Sequence, residues 1–174
     1  MKAGTVLVLG GARSGKSAYA ERLVTESGLD RVCIATARRG DAEMRKRIRE
    51  HRDRRGAGWH TVEEPERLEY ALTAEAQEGK AVLVDCLTLW LSNLMHAGAD
   101  TELRGQALAD AAQRLPGLVV FVSNEVGLGL VPDTPLGRTF RDGQGRLNQA
   151  VAAIADRVVF IAAGLPLYLK GAPE

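Results

Sequence analysis

A short apolar run, "TVLVL" (residues 5–9), is followed at once by "GGARSGKSAY" (10–19). Gly10, Gly15, Lys16 and Ser17 satisfy G-x-x-x-x-G-K-[ST] without a mismatch. No other feature limits the fold so tightly, because this loop needs a strand to deliver it and a helix to leave from it. Its glycines let successive backbone N–H groups turn inward around a phosphate oxyanion. Lys16 then reaches the β- and γ-phosphates, and Ser17 offers its hydroxyl to Mg²⁺. The helix expected over Ser17–Glu26 aims the positive end of its dipole at the same phosphates. A glycine-rich turn can also join a strand to a helix with no ligand bound, but the flanking patterns favour the phosphate cradle. The chain reads as a binder of nucleoside triphosphates.

The rest of the chain repeats the strand-then-helix theme. Apolar, β-branched runs mark strands at Thr5–Leu9, Arg31–Thr36, Ala81–Asp85, Leu118–Ser123 and Arg157–Ala162, with a weaker one at Pro166–Lys170. Helical patterns fall near 16–26, 41–54, 65–78, 87–97, 101–114 and 136–155. Strands that are apolar throughout and separated by helices predict a mostly parallel sheet covered on both faces. The expected architecture is a three-layer α/β P-loop NTPase domain, a single domain over 1–174. With 45% apolar and 26% charged residues and a formal charge of +1, the whole molecule has no field drawing it to nucleic acid or an anionic membrane. The N-terminal apolar stretch is too short for a signal sequence or a membrane span, so the cytoplasm is the expected compartment. Cys33 and Cys86 lie in apolar runs and read as buried thiols. The tail "GAPE" is expected to fray.

Two further features bear on chemistry. In "AVLVDCLTLW", Asp85 ends a strand, where a P-loop protein places the carboxylate that holds the metal's water shell. A lone strand-end Asp also serves as a turn or cap residue. The stretch "RRGDAEMRKRIREHRDRRG" carries nine Lys or Arg against four Asp or Glu in a nearly neutral chain. Such a run is commonly a solvated helix face. Met44, Ile48, His51 and Arg55 nevertheless fall at helical spacing, so His51 shares the stripe that faces the protein. It reads either as a satisfied core histidine or as a nucleophile kept neutral by the surrounding Arg47, Arg49, Arg52, Arg54 and Arg55. The same guanidinium groups are suited to clamping a polyphosphate. His60 and His96 lack such surroundings and read as surface or helix-end residues.

At this point the chain resembles a known family, the bifunctional adenosylcobinamide kinase/adenosylcobinamide-phosphate guanylyltransferase of cobalamin biosynthesis. The resemblance spans nearly the whole chain. It rests on "LGGARSGKSAYAE", "CIATA", "RIREHRDRRGAGWHTVEEP", "VLVDCLTLWLSNL", "VSNEVGLGLVP" and "RTFRDGQGRLNQAVAAIADRVVFIAAGLPLYLK", in that order and spacing. It implies a RecA-like, mostly parallel sheet with helices on both faces, assembled as a homotrimer. It also implies two reactions, with Mg²⁺ as the metal. One phosphorylates adenosylcobinamide from ATP or GTP; the other moves GMP from GTP onto adenosylcobinamide phosphate through a guanylylated histidine. That histidine maps onto His51, and Lys16 is the second catalytic group. Nucleotide contacts map onto Gly10, Gly11, Ala12, Arg13, Ser14, Gly15, Lys16, Ser17, Ala35, Thr36, Ala37, Arg52, Asp53, Arg54, Arg55, Glu63 and Asp85. Metal contacts map onto Ser17 and Asp85.

The chain departs from some relatives at two positions. Glu50 stands where some carry a second histidine, leaving His51 as the one nucleophile. Asp85 stands where others carry Glu, which keeps the carboxylate but shortens it and leaves its contact open between metal and guanosine. The loop "SNEVGLGLVP" (123–132) follows a strand, at the edge where open α/β sheets bind ligands, and offers Glu125 toward substrate. Leu147, Val151 and Ile154 are helix-spaced and read as core or subunit interface. Arg141, Asp142, Arg146 and Asn148 either line a corrinoid pocket or cap and solvate. Two other functions compete with the bifunctional enzyme. One is a plain P-loop kinase with His51 structural. The other is a nucleotide-dependent switch or nucleic-acid module using 38–55, against which stands the lack of aromatic residues among those arginines.

Overall fold

The computed structural model describes residues 3–38, 40 and 42–172, apart from the side chains of Glu43, Met44 and Arg47. Its elements run β1 (Gly4–Gly10), α1 (Lys16–Glu26), β2 (Asp30–Ala35), α2 (Ala42–Arg55), β3 (Trp59–Glu63), α3 (Leu68–Glu75) and β4 (Lys80–Asp85). They continue with α4 (Leu87–His96), α5 (Thr101–Ala112), β5 (Leu118–Asn124), α6 (Pro135–Ile154), β6 (Arg157–Ala162) and β7 (Leu165–Lys170). Seven strands form one sheet in the order β3-β2-β4-β5-β1-β6-β7, all parallel except β7. The expected tail fraying concerns Pro173 and Glu174, which lie outside the described residues, as does the side chain of Met44 in the α2 stripe.

Alternation along the strands divides the core in two. Val6 and Val8 of β1 turn toward α1, joining Tyr19, Ala20, Val24, Leu83, Val120 and Val122. Leu7 and Leu9 turn to the other face, where α3, α4, α5 and α6 bury Leu72, Trp90, Leu91, Leu94, Leu108, Leu147 and Val151. The predicted three layers are therefore present with unequal cover. Asp100 caps α5 through the amides of Glu102 and Leu103, and Thr134 caps α6 with Pro135 in its first turn. No described helix is long and apolar enough to cross a membrane.

The structure adds one strand to those expected. Trp59–Glu63 pairs parallel with β2 as an edge strand, and none of its residues is fully buried. Its sequence, "WHTVE", carries little of the continuous apolar signal that marked the central strands. The β6–β7 hairpin turns on Ala163 and Gly164, with φ of +50° and +80°, the two left-handed residues that a tight hairpin turn requires. Both cysteines are free; Cys33 is buried as expected, whereas Cys86, just past the end of β4, is only partly so.

Candidate active site

Parallel strands bring their carboxyl ends to one edge, and register decides which residues meet there. Glu63, Ala35 and Asp85 are side by side across β3, β2 and β4. Gly10 pairs with Asn124 on one flank and Ile161 on the other. The strand that delivers the P-loop and the strand that delivers Asp85 are separated by β5 alone.

The P-loop is held by backbone that is distant in sequence. The Gly164 amide donates to the Ser14 carbonyl at 2.8 Å, and the Glu125 amide donates to Gly10 at 3.1 Å. A Cβ at Gly10 would lie 2.6 Å from the Ile161 carbonyl oxygen and 2.6 Å from Ser14 Oγ, so only glycine fits there. Arg13 and Gly15 adopt φ of +57° and +99°, left-handed conformations that concentrate at functional turns. Gly15 caps α1 without a side-chain bond, so the first-turn N–H groups have no side-chain competitor for an anion. Lys16 is buried, 8% exposed, and its Nζ donates to the Gly11 carbonyl at 2.9 Å. Burial pushes its pKa down, opposed by the neighbouring Cys86 and by the Asp85 carboxylate. Ser14 Oγ is buried with no hydrogen-bond partner among the described residues. Ser17 is half-buried one position further on.

Asp85 is held by its neighbours. Its carbonyl accepts the Thr36 amide at 3.1 Å, and the next peptide, Asp85–Cys86, is cis. The fully buried Thr36 grips that peptide's far side, its Oγ1 accepting from Cys86 N at 2.9 Å and donating to Cys86 O at 2.8 Å. With its own carbonyl taking Asn93 Nδ2 at 2.8 Å, every polar atom of Thr36 is engaged inside the protein. Thr36 thus reaches the site as the support of Asp85.

His51 lies within reach of this carboxylate: Nδ1 is 3.2 Å from Asp85 Oδ2. Arg55 Nη1 is 3.7 Å from the same oxygen, its side chain 6% exposed. The group nearest the ring is therefore a carboxylate, where the sequence suggested guanidinium groups. Arg54 Nη2 is further off, at 3.5 Å. The main commitment of Arg54 is to Glu21, which sequence reasoning missed. Arg54 Nε and Nη2 donate to Oε2 and Oε1 of Glu21, each at 2.8 Å. One signal pointed to Glu21: it falls four residues after Ser17, on the same face of α1. Arg52 and Asp53 are exposed on α2, and Glu63 is exposed at the end of β3. Ala12 is exposed in the loop, Gly11 and Ala35 are partly so, and Ala37 follows Thr36 at the same edge.

The basic stretch is thus turned partly inward, with Arg54 on Glu21 and Arg55 on Asp85, while Arg38 pairs with Glu66 in solvent. The other candidates are engaged with neighbouring side chains and backbone. Asn148 is buried in a network with Ser123 and Gln144 at 2.6 and 3.0 Å, locking α6 to the end of β5. Arg141 pairs with Asp142, and Arg146 reaches Glu102 at 3.7 Å in solvent. The Glu125 carboxylate turns back onto the Gly127 amide.

A family model described as "Cobinamide kinase / cobinamide phosphate guanyltransferase" matches residues 6–169. The chain belongs to this family. It is accordingly a bifunctional transferase of cobalamin biosynthesis, with a cobinamide kinase activity and a cobinamide phosphate guanylyltransferase activity. A bifunctional adenosylcobalamin biosynthesis protein CobP of Pseudomonas aeruginosa is 53% identical, covering 96% of this chain and 98% of that one. A CobU protein of Salmonella typhimurium is 40% identical over 95% and 99% of the two chains. Solved structures show the fold at low identity. The flagellar accessory protein FlaH of Methanocaldococcus jannaschii aligns with TM-score 0.59 at 12% identity, over 99% of this chain and 83% of that one. A type III secretion ATPase aligns with TM-score 0.59 at 12% identity, over 96% and 57%. The family's fold here is the RecA-like P-loop arrangement, as the sequence implied.

Proposed function

We propose that His51 is the residue guanylylated during transfer and that it attacks through Nε2. The observation that supports this reading is the Asp85 carboxylate at Nδ1, 3.2 Å away. A neutral imidazole that keeps its proton on Nδ1 and donates that N–H to a carboxylate carries its free lone pair on Nε2. That nitrogen attacks the α-phosphorus of GTP, the bond to pyrophosphate breaks, and pyrophosphate leaves. A phosphate oxygen of adenosylcobinamide phosphate then attacks the same phosphorus. The P–N bond breaks and the lone pair returns to Nε2, so the product is adenosylcobinamide-GDP with the enzyme restored.

In the kinase step the P-loop amides and Lys16 hold the transferring phosphoryl group, balancing its charge as the corrinoid side-chain hydroxyl attacks. Ser17 and Asp85 fit Mg²⁺: both offer oxygen donors, and among the described residues His51 and Arg55 approach Asp85 at Oδ2. Bound there, Mg²⁺ supplies charge neutralisation at the β- and γ-phosphates. In guanylyl transfer, by contrast, Arg52 and Arg55 of α2 are placed to accompany the triphosphate of the attacked GTP, and Glu63 to accompany its nucleoside. We also take the assembly to be a homotrimer. The exposed β7 side chains Leu165, Leu167 and Leu169, 71%, 59% and 57% exposed, supply an apolar stripe suited to a subunit contact.

Incubation with α-labelled GTP tests the transferase reading. Wild-type protein should take up acid-labile, alkali-stable label, and His51→Ala should take up none while transferring γ-label to cobinamide. Undiminished α-label in His51→Ala, or none in wild type, would overturn the histidine intermediate.

A further inference from the structure

We propose that Glu21, on the P-loop helix, is a positioning residue for guanylyl transfer, which it serves by seating α2 through Arg54. The proposal rests on the reading of His51 as the guanylylated residue.

None of the described residues of helix α2 is fully buried. Of its 14 residues only Ala42, Met44 and Ile48 are apolar, so no continuous apolar stripe ties it to the core. Its described anchors are polar: His51 and Arg55 on Asp85, and Arg54 on Glu21. Of these the Glu21 contact has the strongest geometry. It is a two-point fork with both N···O distances at 2.8 Å, and it consumes both carboxylate oxygens. Glu21 is only 8% exposed, so without Arg54 its charge would be left buried and unpaired. The contact therefore selects one seat for the helix.

That seat decides where the histidine is. Arg54 follows His51 by three residues, on the adjoining turn of the same face, and its Nη2 is 3.5 Å from the ring. Glu21 follows Ser17 by four residues on α1, whose first turn forms the phosphate cradle. A single rigid helix thus carries the phosphate seat at its N-terminus and the anchor of the histidine helix one turn later. The distance from His51 to the α-phosphorus is set by α1 through this ion pair. Displacement of a reacting atom by about 1 Å can cost on the order of a hundredfold in rate. The kinase step uses the P-loop and Asp85 but not the seat of α2.

The test compares wild type, Glu21→Gln, Arg54→Gln and the double variant by two readouts. One is the single-turnover rate of α-label uptake at saturating GTP; the other is γ-label transfer to cobinamide. Glu21→Gln, nearly isosteric, should slow α-label uptake by about ten- to hundredfold. Its kinase turnover should stay within about twofold of wild type, a split that general loss of structure would not produce. The double variant should be no slower than the slower single variant, because both remove one contact. Glu21→Asp should recover part of the rate. Uptake by Glu21→Gln within about twofold of wild type, equal loss of both activities, or additive losses in the double variant would each overturn the proposal. Failure of the His51 reading itself would show separately, as a wild-type protein that takes up no α-label.

Discussion

Thr36→Val removes one oxygen from beneath the active site and leaves side-chain volume nearly unchanged. Thr36 is fully buried, and its hydroxyl makes two hydrogen bonds to Cys86, at 2.9 Å from the amide and 2.8 Å to the carbonyl. The Cys86 carbonyl keeps a second donor in the variant, the Trp90 amide at 3.2 Å. The Cys86 amide does not, and a buried donor left unpaired costs about 1–3 kcal/mol. Loss of the carbonyl bond adds about 1 kcal/mol, and the new methyl group returns about 0.8 kcal/mol. The net expectation is about 1–3 kcal/mol, or roughly 2–12 °C in Tm for a chain of this size. Thr36→Ser keeps the hydroxyl and loses only a methyl group, costing about 1 kcal/mol. Thermal unfolding followed by fluorescence of Trp59 and Trp90 decides the order. Valine should unfold below serine, and serine below wild type. A valine variant at or above serine would mean that the hydroxyl contributes nothing and that the support assigned to Asp85 is mistaken.

Replacing Lys16 with Met should leave the fold intact and lower kinase turnover by at least about a hundredfold, because the charge facing the phosphates is gone. Near-normal γ-label transfer would show that the phosphate cradle lies elsewhere. Alkaline pH should destabilise the protein in a defined window. Burial pushes the Cys33 thiol from 9.0 up to about 12, and burial followed by the Tyr168 hydrogen bond pushes Tyr19 from 10.0 up to about 12. Both groups ionise first in the unfolded chain, so their contribution is whole below about pH 9 and is lost as pH climbs toward about 12. Urea midpoints measured across that range should fall, and Cys33→Ala should flatten the slope. An unchanged slope would remove Cys33 from the account.

The P-loop was legible from sequence because its chemistry is local. Eight consecutive residues carry the turn, the charge and the hydroxyl, and each element next to them has its own periodicity. The central strands β1, β2, β4, β5 and β6 were legible because burial on both faces demands continuous apolar runs. Strand β3 was not, since an edge strand with polar residues satisfies its backbone on one side without that pattern.

What the residues carried alone was therefore the fold class and, as expectations, the phosphate cradle and, through the resemblance, the part assigned to His51. What tertiary structure decided was who meets whom at the carboxyl edge. Parallel register sets Glu63, Ala35 and Asp85 in one row, though 28 and 22 positions separate them in sequence. The hairpin at Gly164 braces the P-loop from the far end of the chain. The sequence of the arginine-rich helix does not specify which carboxylates Arg54 and Arg55 meet. Its charges resolve into particular pairs because burying Glu21 and Asp85 leaves each carboxylate in need of a cation or a hydrogen bond. Periodicity along one helix specifies which face turns inward; only packing against another element specifies what that face touches.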